Sequence, residues 1–131
     1  MGNKITTFLM FEGNAEEAMN FYVSLFNDSR IVSINRYASG EPGIEGSVKH
    51  AVFSLSGQQY MAIDSAVKHG FTFTPSMSLF VDCDSDQEID TLFEKLTGGG
   101  NVLMPLNAYP GLKKFGWLSD RFGLSWQLNL K

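Results

Sequence analysis

Cysteine is almost missing from this chain: Cys83 is the only one in 131 residues. An internal disulfide is therefore excluded, and a reducing, cytoplasmic setting is expected. No apolar run approaches the ~18 residues that a membrane-spanning helix requires, so no membrane contact is expected. The N-terminus lacks a basic stretch followed by an apolar segment, and no secretion leader is expected. Positive charge is also scarce. Ten Lys and Arg stand against fourteen Asp and Glu, a net charge of −4. With no basic cluster, nucleic acid is not an expected partner. Histidine occurs twice, at His50 and His69, and neither lies in a close His/Asp/Glu spacing of the kind that holds a metal. The serines lack a recognisable nucleophile motif. Gly98-Gly99-Gly100 follows a helical stretch, so it stops a helix and cannot cradle phosphate at a helix start. Glu16 and Glu17 are neighbours on a helix and do not converge. Cys83 itself ends an apolar run before an acidic turn and reads as a packing residue, with a reactive thiol as the alternative.

What the chain has instead is rings and repetition. Eleven Phe, two Trp and six Met predict either a core built from aromatics or an aromatic-lined pocket. Hydrophobic residues at 44% against 18% charged fit one globular domain with a real core. Each half opens with an extended apolar run, at residues 5–11 and again at 77–83. Each then passes through one amphipathic helix, 14–26 and 86–96. In the first helix Ala15, Ala18, Met19, Tyr22, Leu25 and Phe26 recur at three- and four-residue spacing. In the second, Ile89, Leu92, Phe93 and Leu96 do the same. Asn14 and the Asp84-Ser85-Asp86 turn are the expected caps. Strands are predicted over 30–37, 48–56, 59–64, 102–106, 113–119 and 124–130. Pro105 marks 102–106 as an expected edge by its missing donor. Residues 38–47, rich in Gly and Glu, read as a long mobile loop. One domain spans 1–131, with modules at about 4–64 and 76–131 joined by a linker at about 65–75.

Three stretches then carry a family likeness: Phe11-Glu12-Gly13-Asn14-Ala15-Glu16-Glu17-Ala18 with Phe21-Tyr22; His50-Ala51-Val52-Phe53-Ser54-Leu55-Ser56-Gly57; and Gly116-Trp117-Leu118-Ser119-Asp120-Arg121-Phe122-Gly123-Leu124-Ser125-Trp126-Gln127. Together they resemble the PhnB-like branch of the vicinal oxygen chelate superfamily, which includes glyoxalases, bleomycin-resistance proteins and dioxygenases. This branch is also labelled 3-demethylubiquinone-9 3-methyltransferase-like. The chain has no glycine-rich strand–turn–helix element to support a nucleotide-type cofactor. The resemblance implies an α+β fold: two βαβββ modules forming a curved mixed sheet around a cavity. It also implies a homodimer. Superfamily enzymes hold a divalent metal on the first and last strands of each module. Carried over, those positions are Thr7; Ala62 or Asp64; Met77 or Ser78; and Gln127, where glyoxalases carry Glu. This set lacks imidazole and is weak for a transition metal, so no cofactor is expected and the metal site reads as none.

The leading expectation is metal-free binding of a small apolar or aromatic molecule. Phe8, Met10, Phe71, Phe73 and Trp117 are the candidate walls, and Thr7, His50, Asp64 and Gln127 the candidate polar anchors. Several keep a plainer alternative. Asp64 reads equally as a turn cap, His50 as a hydrogen-bonded sheet residue, and Trp117 as core. Asp120 and Arg121 read as turn residues. No residue stands out as catalytic. One rival is a metal-dependent lyase, isomerase or dioxygenase using Gln127, Asp64 and waters. The other is a protein-interaction module whose cavity is filled by Phe and Met.

Overall fold

A computed structural model describes residues 4–131. The first residues of the chain, where the absence of a leader is expected, therefore lie partly outside the described residues. Two compact units divide between Gly70 and Phe71, and each repeats one topology. Unit 1 runs β1 (Thr7–Phe11), α1 (Ala15–Leu25), β2 (Arg30–Arg36), β3 (Val48–Leu55) and β4 (Gln58–Asp64). Unit 2 runs β5 (Ser78–Cys83), α2 (Asp86–Thr97), β6 (Asn101–Tyr109), β7 (Leu112–Ser119) and β8 (Ser125–Leu130). The sheets are ordered β1-β4-β3-β2 and β5-β8-β7-β6. In each, the first and last strands pair in parallel and the others antiparallel. The expected pair of βαβββ units is what the chain forms.

One face of each sheet is packed under its helix. In unit 1, α1 buries Ala15, Ala18, Met19 and Tyr22. Tyr22 stacks on Phe53, and Phe53 on Tyr60, with ring centroids 6.5 and 5.3 Å apart. Side chains alternate along a strand, and paired residues share a face. Leu9, Phe11, Ala51, Phe53, Leu55 and Ala62, all buried, therefore lie on this side. In unit 2, α2 buries Ile89, Leu92 and Leu96 against Leu118, Trp126 and Leu128, themselves buried. Gly116 is required there: a Cβ would sit 2.5 Å from Phe93 Cε1.

Local details depart from expectation in instructive ways. Asn14 makes no side-chain cap. The start of α1 is held from a distance, because Asp64 Oδ1 accepts from Gly13 N and Ala15 N at 2.8 and 2.9 Å. A carboxylate there also suits the positive end of the helix dipole. The second cap follows the pattern: Ser85 Oγ accepts from Glu88 N at 3.1 Å, while Glu88 Oε1 accepts from Asp84 N at 2.8 Å. This is a capping box with its return bond displaced by one residue. The stretch expected as a mobile loop is tied at its base, with Tyr37 N donating to Ser47 O and Gly46 N to Tyr37 O, both at 2.9 Å. An ion pair between Lys49 and Glu41 adds to it. β1 begins at Thr7 rather than residue 5, leaving Ile5 exposed. β6 continues past its expected end to Tyr109, and Pro105 is accommodated because β6 is the sheet edge.

Candidate functional site

Alternation sorts the sequence candidates. In unit 1, Phe8, Met10 and His50 lie on the face turned away from α1, with Val52, Met61 and Ile63. His50 Nε2 lies 3.3 Å from Met61 Sδ, and Phe8 is half exposed at 51%. Thr7 and Asp64 are on the opposite, helix-packed face. Thr7 cannot share a face with Phe8, its neighbour in the strand.

Asp64 is buried and both of its carboxylate oxygens are occupied. Beyond the two bonds to the start of α1, Oδ2 accepts from Val48 N at 2.9 Å, and the Tyr37 hydroxyl donates to the Asp64 carbonyl at 3.1 Å. Its side chain joins a helix start to a neighbouring strand and is withdrawn from any ligand role. A carboxylate that accepts three backbone N–H groups is a strong structural clamp.

Unit 2 carries the more developed polar arrangement. Ser78, Phe80, Phe115, Trp117, Ser125 and Gln127 share the face turned away from α2. Trp117 Nε1 donates to Ser125 Oγ at 2.9 Å, and Ser125 Oγ lies 2.7 Å from Ser78 Oγ. Gln127 Nε2 lies 3.3 Å from Ser78 Oγ, placed as donor to it. Four side chains from three strands thus form one hydrogen-bonded row. Aromatic rings border it: Phe80 pairs with Gln127 across the strands and contacts Phe115 at 6.5 Å between centroids. Trp126, one residue from Gln127, points to the helix side, and its Nε1 donates to Asp120 Oδ2 at 2.9 Å. Asp120 also accepts from Phe122 N and Leu124 N, which fixes the β7–β8 turn.

Phe71 and Phe73 belong to the segment before β5, outside the sheet. Phe73 lies by the turn at Gly123, whose added Cβ would be 3.9 Å from the Phe73 ring. Ser125 and Met61 were not foreseen. The signal was present, since Ser125 shares parity with Gln127, and Met61 with Gln59 and Ile63. Cys83 is buried, and burial pushes its thiol up to about 12, helped by Glu88, Asp84 and Asp82. It is a packing residue, not a nucleophile.

The family's metal can be tested against these side chains. On the faces away from the helices, the first-to-last strand pairs include Phe8–Met61 and Met10–Ile63 in unit 1, and Ser78–Ser125 and Phe80–Gln127 in unit 2. Rings, thioethers, an aliphatic group, two neutral hydroxyls and an amide do not suit a hard divalent ion. The next row in unit 2 adds Asp82, whose Oδ1 accepts from Asn129 Nδ2 at 3.0 Å. Among the described residues, no three His, Cys, Asp or Glu side chains gather to hold a metal. The residues present do not fit the superfamily's ion.

Comparison with known proteins decides the family. The model of the 3-demethylubiquinone-9 3-methyltransferase family matches residues 3–129. The chain belongs to this PhnB-like family. A PhnB protein from Bacillus cereus is 64% identical, with a TM-score of 0.97 over 98% of this chain and 100% of that one. Protein PA1353 from Pseudomonas aeruginosa is 29% identical, with a TM-score of 0.83 over 99% and 98%. A glyoxalase-related enzyme from Fulvimarina pelagi, 18% identical, shares the fold with a TM-score of 0.60 over 98% and 89%. This PhnB-like chain thus sits within the glyoxalase, or vicinal oxygen chelate, fold. The methyltransferase in the family's name does not extend to an activity here, because one scaffold hosts many chemistries.

Proposed function

We propose that this PhnB-like protein binds a small, partly apolar or aromatic molecule without a metal, on the sheet face of unit 2 that carries Gln127. The observation that supports this best is the Trp117–Ser125–Ser78–Gln127 row beside the exposed ring of Phe80. A few fixed polar groups among aromatic walls are what a small-molecule site requires. The thermal-shift test is a panel of aromatic ketones, alcohols and acids, run with and without added Mg2+, Mn2+ and Zn2+. At a hundredfold excess over the dissociation constant, binding adds about 2.7 kcal/mol of stability. The expected result is a shift that is independent of the ions. Stabilisation seen only with a metal would overturn the metal-free part.

We also propose a homodimer. Phe80 and Met77 are 57% and 74% exposed, and large apolar groups left in water favour association. Light scattering at micromolar concentration giving one-chain mass would oppose it. A reducing, cytoplasmic setting fits the single buried thiol. Among the described residues, no helix is long and apolar enough to cross a membrane.

A further inference from the structure

We infer that Gln127 offers its N–H pair, not its carbonyl, to the ligand, so that unit 2 selects molecules carrying a neutral hydrogen-bond acceptor beside an apolar ring. This rests on the ligand reading above and adds the chemical class.

The direction of the row follows from counting protons. An indole N–H only donates. Trp117 Nε1, at 2.9 Å, therefore makes Ser125 Oγ an acceptor. The remaining partner of the buried Ser125 is Ser78 Oγ at 2.7 Å, so Ser125 donates to it. Ser78 must then pass on its own proton. Two groups are in reach: the Pro75 carbonyl at 3.5 Å and the Gln127 amide at 3.3 Å. The N and O of an amide exchange places by a half turn, and the hydrogen-bond network decides between them.

With nitrogen towards Ser78, as the structure places it, that hydroxyl accepts twice, and its proton is left to the more distant Pro75 carbonyl at 3.5 Å. With oxygen towards Ser78, each hydroxyl accepts once and donates once. The row then runs one way from Trp117 to Gln127, the arrangement in which successive bonds polarise one another. Both amide N–H groups are left to point away from the row. An acceptor is what they would recognise.

Charge narrows the class. Asp82 lies on the same face one row from Gln127, with its carboxylate on Asn129. Lys113, at the far end of β7, has its Nζ on the Lys131 carbonyl at 3.0 Å. A negative neighbour disfavours an anionic ligand, so a ketone, ester or amide oxygen fits better than a carboxylate.

Matched probes test this on the full chain: acetophenone, ethylbenzene, benzoate and benzylammonium, titrated into 15N-labelled protein while the Gln127 side-chain amide is followed. The expected result is acetophenone binding about tenfold tighter than ethylbenzene, the worth of one good hydrogen bond, with both Gln127 amide protons moving. In Gln127→Leu that preference should vanish while ethylbenzene still binds. Equal binding of acetophenone and ethylbenzene overturns the inference and leaves the ligand reading standing. A preference for benzylammonium overturns it in favour of an outward carbonyl, and a preference for benzoate overturns the neutral class. No binding of any probe at millimolar concentration overturns the ligand reading and this inference together.

Discussion

The two units share a backbone plan and differ in what they hang on it. By register, Phe8–Met61 in unit 1 corresponds to Phe80–Gln127 in unit 2, and Val52 corresponds to Trp117. Under the helices the exchange is conservative. Ala51 and Ala62 in unit 1 stand where unit 2 has Gly116 and Leu128, so one small pair is traded for a smaller and a larger residue. Close packing forces that compensation. On the other face nothing forces it. There unit 1 carries the Phe8 ring, thioethers and aliphatic groups with one imidazole, while unit 2 holds a hydrogen-bonded row. The lesson is that topology is guarded by the helix-packed side, and chemistry diverges on the other. Each unit also spends one buried carboxylate on its backbone, but at different joints: Asp64 at a helix start, Asp120 at a hairpin.

Substitutions can break this comparison or sharpen it. The largest effect is expected for Asp64→Ala, which leaves three backbone N–H groups without their acceptor. A loss of about 3 kcal/mol in urea unfolding is expected, with Asp120→Ala close behind. If either costs under about 0.5 kcal/mol, the clamps are ornamental. Gly116→Ala pushes a methyl into Phe93 and is expected to cost about 1–3 kcal/mol by overpacking. Ala51→Gly, at the corresponding site in unit 1, should lose about 1 kcal/mol by the opposite route of lost packing and added chain freedom. Gln127→Leu should weaken acetophenone about tenfold, and Met61→Leu should leave it unchanged. Equal losses would mean that the two faces act alike.

The smallest effect concerns the ion pair of Glu16 with Arg36, at 2.6 Å on the surface of unit 1. The hydrogen bond from Arg36 holds the Glu16 carboxyl below its ordinary 4.5. Its stabilisation is therefore present above pH 4.5 and lost as pH falls through the lowered value. Glu16→Gln should lower the melting temperature at pH 7 by about 2 °C or less, and the difference should shrink in high salt and in acid.

Most of the fold was legible in the sequence because it rests on periodicity. The stripe from Ala15 to Tyr22 and the alternation of Ala51, Phe53 and Leu55 both appear as buried faces. The caps were half legible. Ser85 with Glu88 is a local pattern, whereas the cap of α1 comes from Asp64, 49 and 51 residues away from its partners. No local rule reveals that, and a carboxylate at a strand end looks the same whether it serves a ligand or a backbone. The end of β6 was missed because the expected strand stopped at 106, just past Pro105, while edge pairing tolerates the proline and carries the strand on to Tyr109. The candidate site was legible as residue types but not as a face. Trp117 and Gln127 fall together in unit 2, whereas Thr7 and Asp64 fall behind the sheet, because the phase of β1 and β4 is set by packing under α1.

Backbone and indole N–H shifts recorded while acetophenone is titrated into the full-length 15N-labelled chain give the decisive test. Changes should concentrate at Ser78, Trp117, Ser125 and Gln127, with the Trp117 indole proton among the largest. Changes gathered at Met10, His50 and Met61, or an indole proton that does not move at saturation, would contradict a ligand face built by unit 2.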